Sequence, residues 1–289
     1  MNNQLNILIT GSDGQLGSTL KKITTDNKNN YFFKNKQELD ISDESLFNEL
    51  IIKHSINFII NCAAYTDVEK CLLNKKKSEE INSISVGKIA KICKEKNIKL
   101  IHISTDFVFD GFSTIPYKES DITRPINDYG RSKLKGENRI LNYKLRDSII
   151  LRTSWLYSES KNNFVTKILE KIKNNEEIKV TKKEIGSPTY VLDLANAILK
   201  IIPLLKNKKT EIYHFSNLGK CSRFEFANEI IKITGNNTKI DDLNHSISNV
   251  VRPKFSVLSN KKIINDFGVV NYDWRVSLNR FIKNNLANV

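Results

Sequence analysis

The sequence contains no apolar run approaching the roughly 18 residues that cross a bilayer, so no segment reads as a membrane span. Its first residues, MNNQLNILIT, lack the charged segment, apolar stretch and small-residue cleavage site of a secretory signal, and a cytoplasmic protein is expected. Cysteine is sparse. Cys62, Cys71, Cys93 and Cys221 form no CxxC pair, and no histidine cluster accompanies them. A disulfide scaffold and a structural zinc site are thereby set aside, and reduced, mostly buried thiols are expected. Internal repeats and low-complexity tracts are missing as well.

Positive charge is plentiful: 46 Lys and Arg face 32 Asp and Glu, a net +14. A basic balance can serve nucleic acid, acidic lipid or a phosphorylated small molecule. The lysines are scattered through stretches such as Lys75–Lys77, Lys182–Lys183 and Lys206–Lys209, which read as solvated helix ends and loops. Neither a nucleic-acid nor a membrane partner is expected.

Short apolar runs alternate with longer amphipathic stretches. Leu5–Thr10, Tyr31–Phe33, Phe58–Asn61, Leu100–Ser104, Ser148–Arg152, Ile178–Val180 and Glu211–Phe215 read as strands. Most are unbroken apolar runs, the habit of strands covered on both faces. Helices are expected at Gln15–Lys22, Asp43–His54, Lys75–Asn97, Asn127–Tyr143, Phe164–Lys173 and Val191–Leu205, then at Arg223–Thr234 and Val276–Leu286. This order predicts an α/β fold: a Rossmann-type, doubly wound parallel sheet with a smaller C-terminal substrate-binding lobe. Residues 1–155 form the dinucleotide-binding domain in this reading, with its sheet completed by about 186–217. Residues 156–185 and 218–289 form the lobe.

The first strand runs into Gly11-Ser12-Asp13-Gly14-Gln15-Leu16-Gly17. Glycines there let the chain turn tightly and approach a pyrophosphate, while the following helix offers free N–H groups to it. The second strand ends in Lys34-Asn35-Lys36, two cations where an acid would hold a ribose 2′-hydroxyl. NADPH is therefore the expected cofactor, with NADH possible. Asp40 comes too late for the strand end and reads as bordering the adenine. Ala63 and Ala64 follow the third strand, small enough to lie against a ribose.

Tyr129 and Lys133 stand four apart in YGRSK, one helical turn from each other on one face. A nearby ammonium stabilises a phenolate, which lets a phenol serve as a proton donor at neutral pH. Thr105, at the end of the fourth strand, points a hydroxyl toward the same crevice. Trp155 offers an aromatic face suited to a sugar ring or base.

GSDGQLG, NCAAYTDVEKC, ISTDFVFDG, YGRSK, LRTSWLY, SPTYVLDLA and RPKFSVLS occur in this order. Together they resemble the dTDP-4-dehydrorhamnose reductases, extended short-chain dehydrogenases, over nearly the whole chain. The resemblance implies reduction of a dTDP-linked 4-keto-6-deoxysugar to dTDP-L-rhamnose with NADPH. It implies Tyr129 as proton donor, Lys133 as its partner and cofactor ligand, and Thr105 as the assisting hydroxyl. Gly14, Gln15 and Leu16 would hold the pyrophosphate, Asp40 and Ile41 border the adenine, and Ala63, Ala64 and Tyr65 the ribose. Thr105, Asp106 and Trp155 would meet the sugar nucleotide, and Arg252 in RPKFS, with its planar fork, would suit its diphosphate. Some family members are dimers bridged by a metal through an acid on the first helix. Thr19 stands at that position here, so no such metal is expected, and the chain reads as a monomer or homodimer. Two other readings stay open: reduction of a different keto-deoxysugar nucleotide, and a non-catalytic NADP-binding regulatory subunit.

Overall fold

The computed structural model describes residues 4–24, 29–159, 163–243 and 250–286. Six parallel strands form its central sheet: β1 (Asn6–Thr10), β2 (Asn30–Lys34), β3 (Phe58–Asn61), β4 (Lys99–Thr105), β5 (Ile149–Thr153) and β6 (Glu211–His214). Their spatial order is β6-β5-β4-β3-β1-β2. The chain leaves β1 toward β2 and then returns to β3 on the other side. This reversal opens a crevice at the carboxyl ends of β1 and β3.

Side chains alternate across the sheet, and each face buries its own layer. Ile7, Ile9, Phe58, Ile60, Ile101, Ile149 and Leu151 pack under α1 (Gln15–Ile23) and, later in the chain, Val191–Ile201 and Lys261–Phe267. Leu8, Ile59, Leu100 and Ile150 face α2 (Glu44–Lys53) and the helices that follow β3 and β4. On this second face the apolar pattern stops at the carboxyl ends. Thr10, Asn61 and His102 oppose one another across β1, β3 and β4. One step further, Ser104, Arg152 and His214 oppose one another across β4, β5 and β6.

The single helix expected over Lys75–Asn97 is broken. The chain forms α3 (Val68–Leu73), α4 (Lys75–Glu79), a π-helical turn (Glu80–Ile84) and α5 (Ser85–Glu95). The turn follows from Asn82, which is sealed from solvent. Its side chain accepts from the Tyr65 N–H at 2.8 Å and donates to the Tyr65 carbonyl at 2.9 Å, clamping the loop after β3. Such one-residue insertions recur beside functional sites.

After α6 (Asp128–Tyr143) and β5 the chain builds a second core. In it α7 (Phe164–Lys173), α9 (Arg223–Thr234) and α11 (Trp274–Leu286) pack Tyr157, Val165, Ile168, Phe226, Trp274 and Phe281 together. Ile178–Val180 belongs to this lobe, pairing with Ile240–Asp242 rather than with the sheet. Between these pieces the chain returns to the sheet twice. Helix α8 (Val191–Ile201) with β6 is one return, and α10 (Lys261–Phe267), inside the range assigned to the lobe, is the other.

Candidate active site

A cleft of about 800 Å3 runs along the carboxyl edge of the sheet and under the second core. Gly11, Gly14, Gln15, Leu16, Asp40, Ile41, Ala63, Ala64, Tyr65, Thr105, Asp106, Tyr129, Lys133, Trp155 and Arg252 all line it. Lys34 does not. Its ammonium pairs with Glu38 at 3.6 Å outside the cleft, and Lys36 and Lys77 line the wall instead. Both of these lie close enough to Asp40 to hold its carboxyl below the usual range, behind the larger effect of two hydrogen bonds from Ser42.

The floor at one end is the glycine turn. Gly11 has φ +64°, and a Cβ there would meet the Ala63 backbone at 2.8 Å, so only glycine lets this turn lie against β3. Helix α1 starts at Gly14 with no side-chain cap and no acidic residue in its first turn. Asp43, Asp67, Asn127, Asn163 and Ser222 cap α2, α3, α6, α7 and α9 with their side chains. The uncapped N–H groups of α1 therefore face the cleft, a cradle suited to a diphosphate.

The middle is built by α6. Asn127 caps it through Gly130 N–H at 2.9 Å and donates to the Val251 carbonyl at 3.0 Å. Gly130 abuts the Phe107 carbonyl so closely that a Cβ would collide, which brings the first turn of α6 onto the end of β4. Tyr129 thus packs edge-on against Phe107, ring centroids 5.7 Å apart, and hydrogen-bonds Thr105. Burial pushes its phenol well up, Asp106 adds to this, and the Thr105 contact opposes it. The phenol keeps its proton at neutral pH. Lys133 lies deeper, 1% exposed. Its Nζ donates to the Ile103 carbonyl at 2.7 Å and sits 3.2 Å from His102 Nε2. Burial lowers it to about 8, against the opposing pull of Glu137.

Glu137, one turn beyond Lys133, forms a sealed ion pair with Arg152 at 2.6 Å and accepts from Ser104 at 2.5 Å. Arg152 reaches His214 Nε2 at 3.4 Å, and Tyr117 O lies 3.2 Å from His214 Nδ1. Breaking such a buried pair costs about 3–5 kcal/mol, so this network fixes α6 over β4 and β5.

The outer end mixes charge and aromatic surface. Trp155 follows β5 in a left-handed conformation, φ +46°, uncommon for a bulky residue and a mark of a held side chain. Its ring lies against Gly186 on one side, and the Arg223 guanidinium lies 3.5 Å from its centroid. Arg223 was not legible as a site residue: it stands in the first turn of α9, behind the capping Ser222, and only the tertiary fold brings it to the cleft. Burial holds it down at about 10, with Arg252 contributing. Arg252 itself pairs with Glu69 at 3.3 Å. Below these cations Asp106 is 2% exposed, and its Oδ2 has no hydrogen-bond partner. Burial raises Asp106 to about 6. Among the described residues, no group of three or more His, Cys, Asp or Glu stands close enough to hold a metal.

The parallel sheet, the glycine turn at its first crossover and the Tyr129–Lys133 pair define a Rossmann-type protein of the short-chain dehydrogenase kind. Within that class the chain belongs to the RmlD substrate binding domain family, which matches residues 5–287. It is 35% identical to a dTDP-4-dehydrorhamnose reductase of Aggregatibacter actinomycetemcomitans over 94% of this chain and 96% of that one. It is 33% identical to the spore coat polysaccharide biosynthesis protein SpsK of Bacillus subtilis, over 96% of each chain. The crystal structure of dTDP-4-dehydrorhamnose reductase from Bacillus anthracis in complex with NADP superposes with a TM-score of 0.91 at 33% identity, covering 97% of this chain and 99% of that one.

Proposed function

We propose that this protein is an NADPH-dependent reductase of a dTDP-linked 4-keto-6-deoxysugar, dTDP-4-dehydrorhamnose, yielding dTDP-L-rhamnose. The observation that carries the reading is a convergence. Thr105, Tyr129 and Lys133, from β4 and α6, share one cleft with the uncapped start of α1. The residues fit a dinucleotide: Gly11, Gly14, Gln15 and Leu16 around its diphosphate, Ala63, Ala64 and Tyr65 along a ribose, Asp40 and Ile41 beside the adenine. Lys36 and Lys77 take the place expected of Lys34, as the cations beside a 2′-phosphate. A bound nicotinamide supplies the hydride.

The chain's own residues handle the proton and the substrate. Tyr129, held protonated by burial, gives its proton to the carbonyl oxygen as the carbon is reduced. Thr105 donates its hydroxyl to the same oxygen, keeping the carbonyl in line with the phenol. Arg223 and Arg252 bracket the sugar nucleotide's diphosphate, Trp155 lends the apolar edge it shows to the cleft, and Asp106 Oδ2 meets a sugar hydroxyl. The segments around α7, α9 and α11 serve as the substrate-binding lobe.

The test follows NADPH absorbance with dTDP-4-dehydrorhamnose, against GDP- and UDP-linked ketosugars. Turnover is expected with the dTDP compound. Tyr129→Phe should keep NADPH binding within about threefold and lose at least a hundredfold in kcat, the usual size of a general-acid contribution. Near-native kcat in Tyr129→Phe, or no oxidation of NADPH with any ketosugar, would overturn the reading.

A further inference from the structure

The ladder of Thr10, Asn61 and His102 has no part in the chemistry described so far. Thr10 and His102 are 0% exposed, Asn61 and Lys133 1%. Polar groups so deeply buried persist when donors meet acceptors, and that matching fixes where the hydrogens lie.

The chain of assignments starts from a backbone group whose polarity is certain. The Ala63 N–H points at Thr10 Oγ1, 3.4 Å away, and at Asn61 Oδ1, 3.3 Å away. An Asn61 amide turned the other way would set its NH2 against this N–H, donor to donor. Thr10 also donates its hydroxyl proton to Asn61 Oδ1 at 2.6 Å. Asn61 Nδ2 is therefore directed at His102 Nδ1, 3.0 Å away, and His102 Nδ1 accepts. Burial holds the imidazole neutral. Its one proton then sits on Nε2, facing Lys133 Nζ at 3.2 Å. An ammonium has no lone pair to receive that proton, whereas an amine has one.

We infer that the Thr10–Asn61–His102 ladder is a positioning device for Lys133: it fixes His102 in the Nε2–H form, so that His102 donates to the lysine and favours the amine over the ammonium. Among the described residues, the other titratable groups that act on Lys133 are Glu137 on α6 and Cys62 after β3. Glu137 and Cys62 favour the ammonium, and burial outweighs them. The protonated fraction of such a lysine is a stronger acid than an ordinary ammonium: it can hand its proton to the Tyr129 phenolate after each turnover and take another from solvent in the cleft. This last consequence rests on the proposed reductase chemistry, whereas the hydrogen positions do not.

The tautomer is read directly from long-range 1H–15N spectra of protein labelled in histidine nitrogen, with His102 assigned by its loss in His102→Gln. Between about pH 6 and 9, where an ordinary histidine finishes titrating, His102 should remain neutral with Nε2 protonated and Nδ1 bare. A proton on Nδ1, or an imidazolium, overturns the inference. The Lys133 Nζ resonance, assigned by its loss in Lys133→Met, gives the second reading. Its midpoint should rise by about one pH unit in His102→Gln, which no longer imposes a donor. In Asn61→Asp, where a carboxylate draws the proton to Nδ1, the tautomer should switch and the midpoint should rise with it. An unmoved lysine midpoint in both variants, or an unswitched tautomer in Asn61→Asp, assigns the ladder a purely structural part and overturns the inference. None of these readings needs turnover, so their failure is distinct from failure of the reductase reading.

Discussion

Asp106 sits where its charge is least welcome: sealed, with one carboxylate oxygen lacking a partner and a pKa raised from 3.8 to about 6. An acid raised in the folded state keeps a proton that the unfolded chain has already released. Stability therefore falls as pH rises from about 4 to about 6, and the loss is complete above that window. Asp106→Asn should accordingly stabilise the protein at pH 7 by on the order of 1–3 kcal/mol and give no gain near pH 4. Melting curves at the two pH values check this. The same substitution should raise KM for the ketosugar, since an ionised or protonated carboxyl at Oδ2 is what a sugar hydroxyl would meet. Destabilising groups retained in a cleft are commonly retained for binding. Arg223 makes a similar point about reading residues singly. In sequence it is one more basic residue at a helix start, and its stacking on Trp155 arises because two segments about seventy positions apart meet at the cleft.

Helix α6 is the element on which the site depends most. Its sequence carries the cap at Asn127, the close-contact Gly130, and Tyr129, Lys133 and Glu137 at helical spacing. Asn127→Ala removes both the cap and the tie to Val251. A loss of about 1–2 kcal/mol in stability is expected, with a fall in kcat larger than any change in NADPH affinity, because the first turn holding Tyr129 loosens. Denaturant unfolding and steady-state kinetics on the same variant separate the two effects. Elements of this kind were legible in the sequence. The six sheet strands, the glycine turn and α6 announce themselves through apolar runs, a Gly pattern and a cap. The π turn was not legible, because Lys75–Asn97 has helical periodicity throughout and the break is imposed by Asn82 reaching across to Tyr65. Nor was the choice between Lys34 and Lys36. A spacing of two would leave them on one side of an extended strand, but β2 ends at Lys34, the chain turns over Lys36–Glu38, and Glu38 claims the first. The lobe was the least legible part, since its strands are two or three residues long and its core is assembled from pieces separated by returns to the sheet.

At the scale of the whole molecule, the net charge of +14 acquires a focus. Lys36 and Lys77 stand at one end of the cleft, Arg223 and Arg252 at the other, and both proposed ligands are polyanions. Replacing Lys36 and Lys77 together with Gln should weaken NADPH by at least about tenfold relative to NADH, the scale of one lost charge pair in a partly screened site, while Lys34→Gln should leave the ratio unchanged. Titration of the two cofactors at low and moderate salt measures both effects. The preference should shrink as ionic strength rises.

The chain has two tryptophans, and the fold treats them oppositely. Trp274 is locked at 1% exposure in the second core, while Trp155 lines the cleft between Gly186 and the Arg223 guanidinium. The protein therefore contains its own optical gauge. Emission from Trp274 tracks whether the lobe is folded, and emission from Trp155 tracks what stands beside it in the cleft. Occupancy and unfolding can thus be followed in one unlabelled sample.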